Sequence, residues 1–143
     1  MTSYHKIYNR FLNKITSYKL LELSDQDVQE MLYHWLMAAI PKFRRCKSDL
    51  SLRDDEVLEF KEDLLDIEVE ILALLMVNEW LEPQINSELY VSQFYGGKEE
   101  KMFSQSSHLN TLMDLKESNH IEAQKLMRDY SYQAVVWKAK EQS

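Results

Sequence analysis

The sequence predicts an all-α protein: a small bundle of about four helices, an irregular loop before the last helix, and an extended C-terminal tail. Three observations lead there. The 143 residues include two glycines and two prolines, where average usage of about 7% and 5% would supply roughly seventeen. Many-turned β sandwiches consume glycine in their hairpins, so the deficit argues against sheets and for long helices with few tight turns. Apolar residues also recur at helical spacing rather than in alternation. Finally, 45% hydrophobic and 29% charged residues make a folded globular chain of one-domain size.

The elements follow in order. Tyr4, Ile7, Tyr8, Phe11, Leu12 and Ile15 mark one face of a first helix, with Thr2 or Ser3 as its cap. After a connection over 17–23, Ser24 caps a second helix, and Asp25 and Asp27 sit at the positive end of its dipole. Its apolar face is Val28, Met31, Leu32, Trp35, Leu36 and Ala39, and Pro41 ends or kinks it near Ile40. A third helix runs from Ile67, capped by Asp66, to about Leu81, and Pro83 ends or kinks it. It is apolar on most sides, which places it centrally. The loop that follows holds Gly96 and Gly97, a candidate hinge. Ser106 or Ser107 caps a last helix reaching about Tyr130, with a polar middle and a thin apolar stripe. The expected division is a helical bundle over 1–129 and a partner-docking tail over 130–143.

Charge and cysteine usage exclude several classes. Seventeen Lys and Arg against 24 Asp and Glu give −7, a poor balance for general nucleic-acid binding, which needs clustered cations. A lone cysteine, Cys46, forms no internal disulfide and suits a reducing compartment. The first ten residues lack the apolar core of a signal peptide, and the longest apolar run, Ile71–Val77, falls far below the roughly 20 residues of a membrane span. The expectation is a cytoplasmic protein with no membrane contact.

Chemical constellations are weak. Glu117 and His120 make one Glu-x-x-His pair, where a di-iron bundle needs two plus two further glutamates, and Glu30–His34 has the wrong spacing. A solvated helix face is the better reading, with no metal and no cofactor. Cys46 with His34 or His108 lacks any nucleophile signature. Gly96-Gly97-Lys98-Glu99 lacks phosphate-loop spacing and reads as a turn. No enzymatic activity is expected.

Two charge runs and an aromatic tail remain. Between Asp49 and Glu70 ten acids face two bases. The first part of that run reads as a loop, with room for one turn of helix, and a solvated surface outweighs a cation site or a polyanion-repelling channel. Lys42, Arg44, Arg45 and Lys47 suit a helix C-terminus, a neighbour's acidic patch or phosphates. Tyr130, Tyr132, Val135, Val136 and Trp137 crowd a chain end that would ordinarily be polar. They either dock into a partner or fold back onto the bundle.

The stretch Ile71-Leu-Ala-Leu-Leu-Met-Val-Asn-Glu-Trp-Leu-Glu-Pro-Gln-Ile-Asn86 resembles the central helix of small neck proteins from tailed phages of Gram-positive bacteria. Gln93-Phe-Tyr-Gly-Gly-Lys-Glu-Glu-Lys-Met-Phe-Ser104 and the Arg128-Asp-Tyr-Ser-Tyr132 ending resemble the same head–tail connectors, and the likeness extends back to Tyr8-Asn-Arg-Phe11. Its motifs are structural rather than catalytic, and the residues after Tyr132 match least. The resemblance implies an adaptor forming a dodecameric ring in the virion neck, assembled in the host cytoplasm. Such a ring binds the portal above and a stopper or tail-completion protein below, and DNA passes through it without sequence-specific binding. It would make Tyr130, Tyr132, Val135, Val136 and Trp137 portal anchors. It would also place Asp54, Asp55, Glu56, Glu59, Glu62 and Asp63 on an acidic lumen, and make Gly96-Gly97 a hinge for the outer helix. The alternative is a standalone helical regulatory or protein-binding module with an aromatic docking tail. A ferritin-like metal enzyme stands third.

Overall fold

The computed structural model describes the backbone of residues 1–15, 23–94 and 99–141, and the side chains of 1–15, 23–87 and 108–132. Four helices dominate: α1 (Tyr4–Leu12), α2 (Asp25–Ala39), α3 (Asp66–Phe94) and α4 (Glu99–Glu141). The all-α class holds, and α3 is the central element, packed against each of the other three.

Local chemistry sets the helix starts. Ser3 Oγ accepts the His5 N–H at the head of α1, and Ser24 Oγ accepts the Asp27 N–H at the head of α2. Helix α3 starts differently. Leu65 precedes it, its carbonyl accepts the Val69 N–H at 3.0 Å, and its own N–H donates to Glu68 Oε1 at 2.8 Å. Glu68 thus reaches back to the cap as the glutamate of a capping box does. Asp66, expected as the cap, is the first helical residue. Pro41 stops α2 as expected, inside a short turn over Ile40–Lys42.

Two helices outrun their expected ends. Pro83 lies within α3, which continues to Phe94. The ring removes one amide donor from the helix, and the Gln84 side chain donates to the Trp80 carbonyl at 3.1 Å beside it. Helix α4 begins at Glu99 rather than near Ser107, and it runs helical through Tyr130 to Glu141. The expected extended tail from Tyr130 onward is therefore, as far as Glu141, a continuation of α4, because no glycine or proline interrupts the chain after Gly97. At 1.5 Å per residue α4 is about 65 Å long and α3 about 43 Å.

A small sheet also stands where a loop was expected. Strands β1 (Thr2–Ser3), β2 (Arg53–Asp54) and β3 (Glu59–Phe60) pair antiparallel in the order β1-β3-β2, with Phe60 opposite both Thr2 and Arg53. Its turn uses no glycine. Asp54 Oδ1 accepts the Glu56 and Val57 N–H groups, and Leu58 takes the left-handed backbone at φ 62°. That conformation costs a leucine about 1–2 kcal/mol, offset by bonds on both sides. The Leu58 N–H donates to the Asp54 carbonyl, and the Leu58 carbonyl accepts the Tyr4 N–H.

One core joins these parts. Tyr4, Ile7, Tyr8 and Phe11 of α1 and Leu32, Leu36 and Ala39 of α2 pack on the unbroken buried run Ile71–Val77 of α3. The Phe11 ring lies 5.5 Å from Trp35 and 6.5 Å from Trp80 and so ties three helices together. Helix α4 adds Leu112, Ala123, Met127 and Tyr130.

Candidate functional site

A buried carboxylate fastens the segment after α2, and Lys42 at its start pairs with Glu79 of α3. Glu68 is fully buried, although it belongs to the acidic run. Its Oε2 accepts the Tyr130 hydroxyl at 2.9 Å and the Cys46 thiol at 3.2 Å, and its Oε1 accepts the Ser48 hydroxyl at 3.0 Å. Tyr130 in turn accepts the Lys47 N–H at 2.8 Å, and its ring meets Phe43 at 5.7 Å. The basic segment, the start of α3 and the distal part of α4 are thereby locked together. Burial works to raise the Glu68 carboxyl, but the bonds from Leu65, Cys46, Tyr130 and Ser48 outweigh it and hold it below its ordinary value. Burial first, and then the hydrogen bond to Glu68 and its charge, push the Cys46 thiol up to about 12. The thiol is protonated near neutrality and is a poor nucleophile.

This lock places Arg44 and Arg45 beside Arg128 of α4. Together with Gln124, Met127 and Tyr132 they line a cavity of about 400 Å³. A second cavity of about 390 Å³ shares Arg44 and Gln124 and adds Lys116 and His120 from α4, with Asn78 and Glu82 from α3. Lys116, His120, Gln124, Arg128 and Tyr132 lie four residues apart, the spacing of one ridge along a helix. A cationic trough therefore follows α4. Arg45 has a left-handed backbone, φ 60°, at its rim.

The docking residues expected from sequence separate. Tyr130 is buried and bonded within its own fold, so it is not a free anchor, because Glu68 and Lys47 claim its hydroxyl. Tyr132 is 71% exposed. The side chains of Val135, Val136 and Trp137 lie outside the described residues, as do Gly96 and Gly97 altogether.

The six acids gather on and around the hairpin. Asp54 closes the turn, and the Val57 and Glu56 amides lower its carboxyl. Asp55 accepts the Tyr4 hydroxyl and pairs with Arg53. Glu62 accepts the Asp49 N–H, and Asp63 pairs with the terminal amine, which lowers it. Among the described residues Glu56 and Glu59 make no side-chain bond. Four of the six acids thus build the fold locally. Glu117 and His120 are both exposed on α4, and no three His, Cys, Asp or Glu among the described residues converge as a metal-ligating group.

No protein-family model, curated protein or solved structure matches the chain. Among the described residues no helix is long and apolar enough to cross a membrane. Sequence reasoning missed the trough and the Glu68 lock. The four-residue spacing on α4 was readable, but its pairing with Arg44 depends on the lock, and nothing in an acidic run distinguishes its one buried member.

Proposed function

We propose that the chain is a structural neck protein of a tailed phage: an adaptor ring joining the portal to the next head-completion or tail component and forming part of the DNA passage. It acts by assembly rather than catalysis. The sequence resemblance supports this reading, and one structural observation carries it further. Helix α4 is 43 residues long, yet among the described residues it buries a narrow stripe and leaves Met113, Leu115, Ile121 and Tyr132 exposed. A long helix with uncovered apolar residues suits side-by-side packing of copies, and such head-to-tail contacts close into rings when the rotation permits. Tyr132 and the helical end beyond it dock into the portal, and the hairpin carrying Glu56 and Glu59 faces the passing DNA.

The test is mass measurement of the chain with and without portal protein. The expected result is monomer alone and a many-copy ring, dodecameric by the resemblance, on the portal. A chain ended after Tyr132 keeps the Tyr130 lock and should lose portal binding. Absence of any complex with the portal overturns the reading. A one-to-one complex with some other partner instead supports the second reading, a standalone helical binding module, which the cationic trough favours.

A further inference from the structure

We propose that the trough along α4 is a docking groove for an extended acidic peptide. The inference goes beyond the neck reading and does not require the ring.

Charge is the first argument. The chain carries −7 overall, yet Arg44, Arg45 and Arg128 share one cavity whose lining includes no carboxylate. Among the described residues Arg44, Arg45 and Lys116 make no ion pair, and Arg128 reaches only its neighbour Asp129, at 4.0 Å. Gathering like charges is unfavourable, and the left-handed backbone of Arg45 adds strain. The contacts of Phe43 and Lys47 with Tyr130 hold the arrangement together against both costs. An anionic ligand would relieve the repulsion.

Shape is the second. The two cavities share Arg44 and Gln124, and the ridge from Lys116 to Tyr132 spans about 24 Å at 1.5 Å per residue. That length suits roughly seven residues of extended chain at about 3.3 Å each.

A peptide and a nucleic-acid strand differ in the groups they offer this groove. Asn78 lines the second cavity from α3, is 9% exposed, and its Oδ1 finds no donor among the described residues. Buried acceptors in folded proteins are almost always paired. A phosphodiester backbone presents acceptors, whereas a peptide presents an N–H at nearly every residue. Glu82 beside Asn78 lines the same cavity and accepts from the same donors. Carboxylates of the peptide thus meet the arginines while its amides meet Asn78 and Glu82.

The experiment is fluorescence anisotropy on the full chain, without portal, at low salt. The probes are a labelled eight-residue peptide alternating glutamate and glycine, the same peptide with glutamine for glutamate, and a labelled eight-thymidine oligonucleotide. The acidic peptide should bind at least about tenfold tighter than either other probe, and more weakly as salt rises. R44E/R128E should lose at least about tenfold, with R128Q as the milder variant should the double reversal fail to fold. Asn78→Leu should weaken the peptide severalfold. The proposal is overturned if the oligonucleotide binds as tightly as the peptide, if the glutamine peptide matches the acidic one, or if the arginine variants bind normally. Because no portal is present, failure of ring assembly and failure of this groove are separate results.

Discussion

Helices α3 and α4 lie against each other, and neither divides into a clean apolar face and a clean polar one. Their reasons are opposite. Helix α3 is buried from Ile71 to Val77 because α1, α2 and α4 surround it. Helix α4 leans on α3 along Leu109, Leu112, Lys116, Asn119, Ala123, Leu126 and Tyr130, all buried or half-buried. Those positions alternate steps of three and four residues, the narrow seam of a coiled-coil contact. The seam is polar at its middle, and most of the remaining described surface of α4 is exposed. One helix is enclosed by the fold; the other leans on it along a narrow seam and leaves most of its described surface exposed.

The largest effect that could break this contrast is truncation in α3. Leu72→Ala, at a fully buried position, should cost about 3–5 kcal/mol by the lost contacts and the cavity left behind. Leu112→Ala in the seam should cost about 2 kcal/mol, because a surface helix can settle into the gap. Denaturant midpoints of the two variants measure the difference. Equal losses would mean that α4 is as much a part of the core as α3.

Next comes the lock where the two helices and the basic segment meet. Glu68→Ala should cost about 3 kcal/mol, since the Leu65 amide and the Tyr130 and Ser48 hydroxyls lose their acceptor inside the protein. Glu68→Gln keeps one oxygen acceptor and should cost roughly half as much. Hydrogen exchange should show the distal turns of α4 loosening first.

The same groups make stability pH-dependent at both ends. Glu68 is lowered from 4.5 in the folded protein, so its contribution is complete above that value and is lost as pH falls through the lower folded value. Cys46 is raised from 9.0 to about 12, so its contribution is complete below pH 9 and is lost as pH rises towards 12. Tyr4, Tyr8 and Tyr130 are raised by burial in the same sense. A stability plateau between about pH 5 and 9 is expected in melts across pH. Glu68→Gln should flatten its acid edge and leave the alkaline edge dominated by the tyrosines.

What was legible in the sequence followed from periodicity and capping. The face of α1, the Ser24 cap, the stop at Pro41 and the central burial of α3 are all local signals, and they hold. What was illegible depends on contacts between distant residues. The hairpin turns on an aspartate side chain and a left-handed Leu58 held by Tyr4, so glycine scarcity gave no warning of it. Pro83 reads as a stop, yet the helix continues past it. Tyr130 read as a docking aromatic because its partners, Lys47 and Glu68, lie 83 and 62 residues away in sequence. The trough could not be seen before that lock placed Arg44 beside α4.

The smallest expected effect on stability tests the outward side of the comparison most sharply. Ile121 is 59% exposed on α4, so Ile121→Ser removes little packing and should shift folding stability by no more than about 0.5 kcal/mol. If α4 is a rod whose bare apolar residues meet neighbouring copies, the same substitution should sharply reduce the number of copies carried on the portal. The reason is multiplicity: a ring repeats one contact at every interface, so a small loss per contact is counted once for each copy. Mass measurement of portal complexes formed by Ile121→Ser and by the unaltered chain reads this directly. Full rings from the variant would show that copies meet elsewhere and that the exposed side of α4 has some other use.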